Sequence, residues 1–488
     1  MKLTLLASAT LSASLLLAGC NGSDDQTNEI HDLDKMKQVL ETNADIAYAT
    51  YSDSVTTAQQ LKTAIETLTA DQDQSALDAA KNAWLVAREP YSQTEVYRFR
   101  DSPIDDDPAT TDAEDGPEGD INAWPLGEAL IDYVTTGIDF GDDQVGVTSH
   151  STGVADPIPS NNIIASTAIT IDASLLANTA TADDEHDVIA GYHAIEFLLW
   201  GQDLNQDGSA DTVNSREANS PYGAPSSGGH RPLTDFQTGG FCTSGTGNPQ
   251  ADIICTRRHM YLTVAVDKLI ADLIAVRDAW APAAGYRTSF TTINTIDEGK
   301  GRLLKILTGM GTLSEGELAG ERMQISLSAN SQEDEHSCFS DNTHRDIWLN
   351  AKGVSNSYYG TYAGYNSTPA TDTTDDVTTN AVNGYGLDDY LADIKQSNLA
   401  ADVAAALTVT ETNYTAIDAK ARAGMPIDVL IMDPNSIDAK PVRDTILSLN
   451  AQSVQIAKIA TELDLGSAND VVDPGASGCD TSNPTSSC

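Results

Sequence analysis

Apolar residues return every three or four positions over long stretches of this chain, and that period dictates amphipathic helices. Residues 35–68 carry such a stripe with Ala-rich spacing, and 74–98 repeat it through Leu77, Ala80, Trp84, Ala87 and Tyr91. Pro90 has no amide hydrogen and is expected to kink the second stretch or split it in two. The same period marks 126–135, 182–200, 257–280, 299–310, 387–407 and 442–463. Between these lie stretches rich in Gly, Asp, Ser and Thr: 101–120, 201–256, 326–342 and 358–383. Loops of that length inside a compact protein usually carry function. The pattern predicts an all-α protein of helical bundles, with an N-terminal bundle over 35–240, a C-terminal one over 241–465 and a tail over 466–488. A faint echo joins the halves: Glu185-His186 precedes His193, and Glu335-His336 precedes His344.

The start of the chain addresses it to a membrane. Met1-Lys2 is a short positive region, and 3–17 is apolar but too short to span a bilayer. It ends in Leu17-Ala18-Gly19-Cys20, which resembles the bacterial lipobox. Cleavage before Cys20 and lipidation of its thiol are expected, and several acyl chains anchor durably where one does not. Residues 21–34 then read as a polar tether. The expected location is the bacterial cell envelope, periplasm-facing or at the surface. No later stretch approaches the roughly 18 apolar residues that a transmembrane helix requires.

Acidic side chains outnumber basic ones by 72 to 27, for a formal charge of −45. That field repels nucleic acid and admits a metal cation or a cationic peptide. Of the 6 cysteines, Cys242 and Cys255 flank one loop, and Cys479 and Cys488 close the tail. Both spacings suit local disulfides in an oxidising compartment. Cys338 is left over and is expected to be buried as a small apolar residue. The absence of a CxxC argues against a thiolate zinc site.

The central motif is Gly191-Tyr192-His193-Ala194-Ile195-Glu196. At i and i+3 on a helix, His193 and Glu196 share a face and can bind one ion together. Imidazole plus carboxylate suits zinc, iron or manganese, although two ligands leave a site incomplete. Such a pair also serves as a plain hydrogen-bonded contact. Separately, Asp203, Asn205, Asp207, Ser209 and Asp211, with Gly208 between, match the first nine positions of an EF-hand-like calcium loop. Position twelve is Asn214 instead of the usual Glu, so a calcium ion here would bind modestly and staple the 201–256 stretch.

These residues sit among longer blocks. Gly191–Glu196 resembles the GxHxxE signature of the imelysin family of exported bacterial proteins. Four further blocks are similar to its iron-regulated branch: Arg88–Phe99 (REPYSQTEVYRF), Asn122–Leu126 (NAWPL), Gly316–Met323 (GELAGERM) and Gln332–His344 (QEDEHSCFSDNTH). The resemblance spans about 35–465. It implies two four-helix-bundle-like halves, a site near the GxHxxE helix, and a link with iron acquisition and its envelope partners. It also implies iron or zinc at His193 and Glu196, with Glu95 as a third ligand and Arg88 and Arg98 holding carboxylates in place. Glu335, His336 and His344 form a secondary metal candidate that could line the same cleft; the alternative is a solvated loop with helix caps.

The family name comes from a peptidase activity, and the residues test that idea poorly. A zinc peptidase needs three ligands, an open position and a carboxylate base. There is no HExxH, and no GxSxG serves a serine mechanism. Binding of a metal ion or chelate therefore ranks above a metal-dependent peptidase at the same residues. A metal-free envelope adaptor that binds a peptide or partner protein is the third reading.

Overall fold

Asp32 starts the first helix, its carboxylate accepting hydrogen bonds from the amides of Asp34 and Lys35. The computed structural model describes residues 30–106, 116–134, 162–176, 188–203, 229, 231–242, 251–332, 334–472 and 478–488. Helix α1 (Leu33–Asp71) is 39 residues long, about 58 Å at 1.5 Å per residue. It stops at Gln72, which adopts a left-handed φ of 52° and returns its amide to Leu68. Asp73 then caps α2 (Gln74–Ser92) by accepting from the amide of Ala76. Pro90 lies inside α2, in its last turn, so the helix ends two residues beyond it. The stretch expected to reach 98 instead continues as a separate 3-10 turn, Glu95–Tyr97.

Helix α3 (Gly191–Trp200) is shorter than the expected 182–200, of which 182–187 lie outside the described residues; residues 188–190 lead into it without helical structure. Gly191 has a φ of +80°, and a Cβ there would stand 2.4 Å from the carbonyl oxygen of Ile121. That close approach sets the helix start. Helix α4 (Ala251–Ala279) begins inside the stretch read as a loop. Helix α5 (Ile296–Thr312) opens with a capping box of Thr295 and Glu298 and runs on into a π-helix, Leu313–Ile325. Helix α6 (Thr343–Tyr359) is not among the helices expected from the sequence, and it ends at Gly360, which is left-handed. The expected 387–407 helix is two, Leu387–Asp393 and α7 (Ser397–Arg422), and α8 (Lys440–Glu462) closes the set. Among the described residues of 126–135, one turn forms, Glu128–Ile131.

Among the described residues the one sheet is a two-stranded antiparallel ribbon, Thr361–Tyr362 with Val382–Asn383. The fold is essentially all-α. Residues 31–488 pack as one unit. Helix α1 lies along α2 and α4, α7 packs on α8, and α6 touches α2, α7 and the π-helix. Both expected disulfides, Cys242–Cys255 and Cys479–Cys488, are formed, and Cys338 is buried. No helix among the described residues is long and apolar enough to cross a membrane.

Every residue of α3 is buried, as befits a helix apolar on nearly all sides. Trp84 of α2 meets Trp200 edge-on at 5.4 Å, and its indole N–H donates to the carbonyl of Tyr192 at 2.9 Å. The Tyr261 hydroxyl of α4 donates to the carbonyl of Ile189 at 2.7 Å. These contacts wedge α3 between α2 and α4. The GxHxxE motif is therefore an interior feature.

Candidate functional site

His193 Nδ1 lies 2.9 Å from Glu196 Oε2, the i,i+3 meeting that their spacing predicts. Glu196 Oε1 accepts from both the amide and the hydroxyl of Ser340, at 3.0 and 2.6 Å. Burial pushes the Glu196 carboxyl well above its ordinary range, and the Ser340 bonds offset this only in part. Burial, helped by the nearby His336 and Arg88, pushes His193 well below its ordinary range. Burial thus favours the uncharged form of each. His193 Nε2 is buried and has no hydrogen-bond partner.

Directly against that ring stands His336, with centroids 4.8 Å apart and planes 81° apart. Trp124 covers His336 from another side at 4.5 Å. Its Nδ1 lies 3.3 Å from Asp346 Oδ2 and its Nε2 lies 3.3 Å from the Asn122 amide nitrogen. Asp346, near the start of α6, gathers partners: Arg88 Nε at 3.1 Å, the Ser92 hydroxyl at 3.0 Å, Asn342 at 3.2 Å and the Ser337 hydroxyl. Burial alone would raise this carboxyl. Arg88, His336 and the Ser337 bond outweigh it and hold the group far below the usual carboxylate range. Arg88 also donates to Asn122 Oδ1 at 2.6 Å, so one guanidinium fixes both neighbours of His336.

Beyond Asn122 lies Glu95. Arg322, on the π-helix, donates to its Oε2 at 2.8 Å, Arg98 does so at 3.3 Å, and Asn122 reaches Oε1 at 3.4 Å. Burial works against ionisation, but Arg322 and Arg98 prevail and hold Glu95 down to about 2. Arg322 further bonds Asn350 at 2.7 Å and Glu317 at 3.0 Å, and it lies 4.9 Å over the Trp124 ring. Glu118, paired with Arg98 at 3.3 Å, is pushed up to about 7 by burial and by Glu95 and Glu317, against the pull of Arg98.

These residues come from blocks far apart in the chain, and the sequence profile of the imelysin family matches residues 47–460. The chain belongs to the imelysin family. No curated protein matches it. Two solved structures resemble this imelysin-family chain. One is an imelysin-like protein from Psychrobacter arcticum, at 15% identity and a TM-score of 0.50, covering 89% of this chain and 98% of that one. The other is named an iron-regulated protein A precursor, from Parabacteroides distasonis, at 15% identity and a TM-score of 0.49, covering 89% and 95%.

Within this imelysin-family chain, the structure brings His193, Glu196 and His336 together, and it links Glu95 to them through Asn122. Glu335 is buried beside His336 in sequence, its amide donating to the carbonyl of Gln332. His344 turns elsewhere: Nδ1 donates to the Asp341 carbonyl at 3.0 Å and Nε2 faces Asp418 of α7 at 3.6 Å. Of the calcium-loop candidates, Asp203 is buried and accepts from Gln332 at 2.6 Å. Asn205, Asp207, Ser209 and Asp211 lie outside the described residues, as does Cys20. Among the described residues no group of three or more His, Cys, Asp or Glu side chains is arranged to hold a metal ion. Asp346 was not singled out from the sequence. It stands two residues past the last resembling block, in a helix whose buried side mixes polar residues with the apolar Ile347, Ala351, Val354 and Tyr358.

Proposed function

We propose that this chain is a lipoprotein of the bacterial cell envelope that binds a metal ion or metal complex in iron uptake, at His193. The observation that supports this reading is the ring nitrogen His193 Nε2, buried and without a partner. Buried polar atoms are nearly always satisfied, and an orphan of this kind calls for an occupant. Glu196 holds the opposite nitrogen, which is how metal-binding imidazoles are oriented by carboxylates. Should Glu196 lose its proton, its carboxylate would hold the hydrogen on Nδ1 and leave the lone pair on Nε2. An iron or zinc ion would supply the Lewis acidity that attracts this nitrogen. Glu95 could join as a ligand through Oε1, which Asn122 approaches at 3.4 Å, while Oε2 stays on Arg322 and Arg98. The lipobox-like Leu17–Cys20 supports the envelope address, and the acidic charge favours cations over nucleic acid. Iron-uptake proteins of the same compartment would be its partners.

The test is metal content of the full chain in detergent, with and without His193→Ala. Stoichiometric iron or zinc should be present in the wild type and absent from the variant. Retention of the same ion by a folded variant would sink the assignment. Calcium alone in both would move binding to the loop that begins at Asp203.

A further inference from the structure

The π-helix Leu313–Ile325 is gripped near both ends by the last residues of the chain. Cys479 and Cys488, nine positions apart, close these into a loop. Near the start of the π-helix, Glu315 Oε1 accepts from the Thr481 hydroxyl at 3.0 Å, and Asn450 of α8 donates to the same hydroxyl at 2.7 Å. Near its end, the side-chain nitrogen of Gln324 reaches the carbonyls of Asn483 and Ser486 and the Ser486 hydroxyl, at 3.3, 3.1 and 3.2 Å. Gln324 is fully buried, so this nitrogen depends on the loop for its acceptors. Between the two grips stand Glu317 and Arg322, which meet Arg98, Glu95, Asn350 and Trp124. A π-helix is usually a single turn, and one of 13 residues needs restraint from its surroundings.

The two disulfides differ in access. Cys242 and Cys255 are buried, whereas Cys479 is half-buried and Cys488 is exposed. Thiol–disulfide exchange starts with a thiolate that must touch a sulfur, so a dithiol meets the tail bond first.

We infer that the closed tail is a redox-sensitive strap: with the Cys479–Cys488 bond intact it holds the turns that carry Arg322, and reduction lets them open. A dithiol is the reductant. One of its thiolates attacks a tail sulfur and forms a mixed disulfide; its second thiol then displaces the other cysteine. The tail gains two thiols, and the dithiol ends as a disulfide. Without closure the loop gains chain entropy on leaving Gln324. None of this depends on a metal at His193.

The experiment treats the full chain in detergent with dithiothreitol until mass spectrometry shows the tail bond open and Cys242–Cys255 intact. Hydrogen exchange is then followed peptide by peptide. Exchange over 313–325 should quicken roughly ten- to a hundredfold while that of α1 stays as it was. The double variant Cys479→Ser with Cys488→Ser should show the same quickening without dithiol, and dithiol should add nothing to it. Unchanged exchange over 313–325 in the reduced protein would overturn the strap. Equal quickening in α1 would also overturn it, making the bond a prop of the whole fold. Should the double variant not fold, the reduced wild type decides.

Discussion

Around Asp132 both carboxylate oxygens are met by guanidinium groups, whereas around Asp346 similar residue types leave a neighbouring ring nitrogen with nothing to bond. Arg258 approaches Asp132 with two nitrogens, at 2.7 and 3.0 Å, and Arg231 adds a third contact at 2.8 Å. Arg231 also bonds Asp235, which accepts from the Tyr133 hydroxyl. That cluster joins the 132 and 231–235 segments to α4, and its Arg231 Nε is buried without a hydrogen-bond partner. The Asp346 cluster likewise joins α2 to α6 through Arg88, but it continues through His336 to His193. The unsatisfied atom of the first is a guanidinium N–H, which no cation can use; that of the second is an imidazole nitrogen, which can offer a lone pair.

The largest expected effect that separates the two comes from Asp132→Ala. It leaves the buried Arg258 guanidinium without its carboxylate and Arg231 with Asp235 alone, and should cost about 3–5 kcal/mol in urea unfolding. Metal content per folded molecule should stay unchanged. A loss of metal with the fold intact would mean that the clusters are coupled.

His344 supplies an imidazole of the joint-like kind and a pH test. Burial pushes it down to about 4 from an ordinary value of 6.5, against the pull of Asp418. The unfolded chain therefore takes up this proton first, so its contribution to stability is complete above about pH 6.5. That contribution shrinks as pH falls toward 4, by about 2–3 kcal/mol in all. His344→Gln should flatten this part of the profile in unfolding curves between pH 7 and 4.5. It should leave metal content alone. An unchanged slope would show that His344 is not the group that titrates.

The smallest effect on stability is expected from Ser340→Ala. It removes the 2.6 Å hydroxyl bond to Glu196 and keeps the backbone one, for about 1 kcal/mol. Metal affinity should nevertheless fall about tenfold by titration calorimetry, because the carboxyl that steadies His193 is loosened. Equal affinity in the two proteins would place Glu196 outside the orienting role.

The apolar period found most helices because most of them bury one apolar face. It overshot at α3, where Gly191 packs on the Ile121 backbone and stops the helix, a contact that no periodicity carries. It missed α6 for the opposite reason. That helix has a stripe of Ile347, Ala351, Val354 and Tyr358, but its buried residues also include His344, Arg345, Asp346 and Asn350, and these polar side chains blur the pattern. His193 and Glu196 were legible because three residues on a helix fix their meeting. The approach of His336 was legible only as one of two alternatives, lining the same cleft or a solvated loop, since it depends on how the segment that carries it folds over α3. Glu95 was read as a ligand from its place in a family block. Of its two arginine partners, Arg98 was expected to hold a carboxylate, whereas Arg322 comes from the π-helix, whose geometry no residue type announces.

That π-helix has a consequence for how the protein can vary over generations. Within Leu313–Ile325 the backbone bonds skip one residue more than in an α-helix, so the stretch holds more chain than an α-helix of equal height. Deleting one residue before Arg322 would let part of it relax to α-helix without parting any hydrogen-bonded turn. An α turn covers the same rotation as a π turn with about one residue fewer, so the side chains beyond the deletion would keep their phase. Arg322 would still face Glu95, Asn350 and Trp124. The extra chain held in these turns is slack that descendants can give up without moving the arginine.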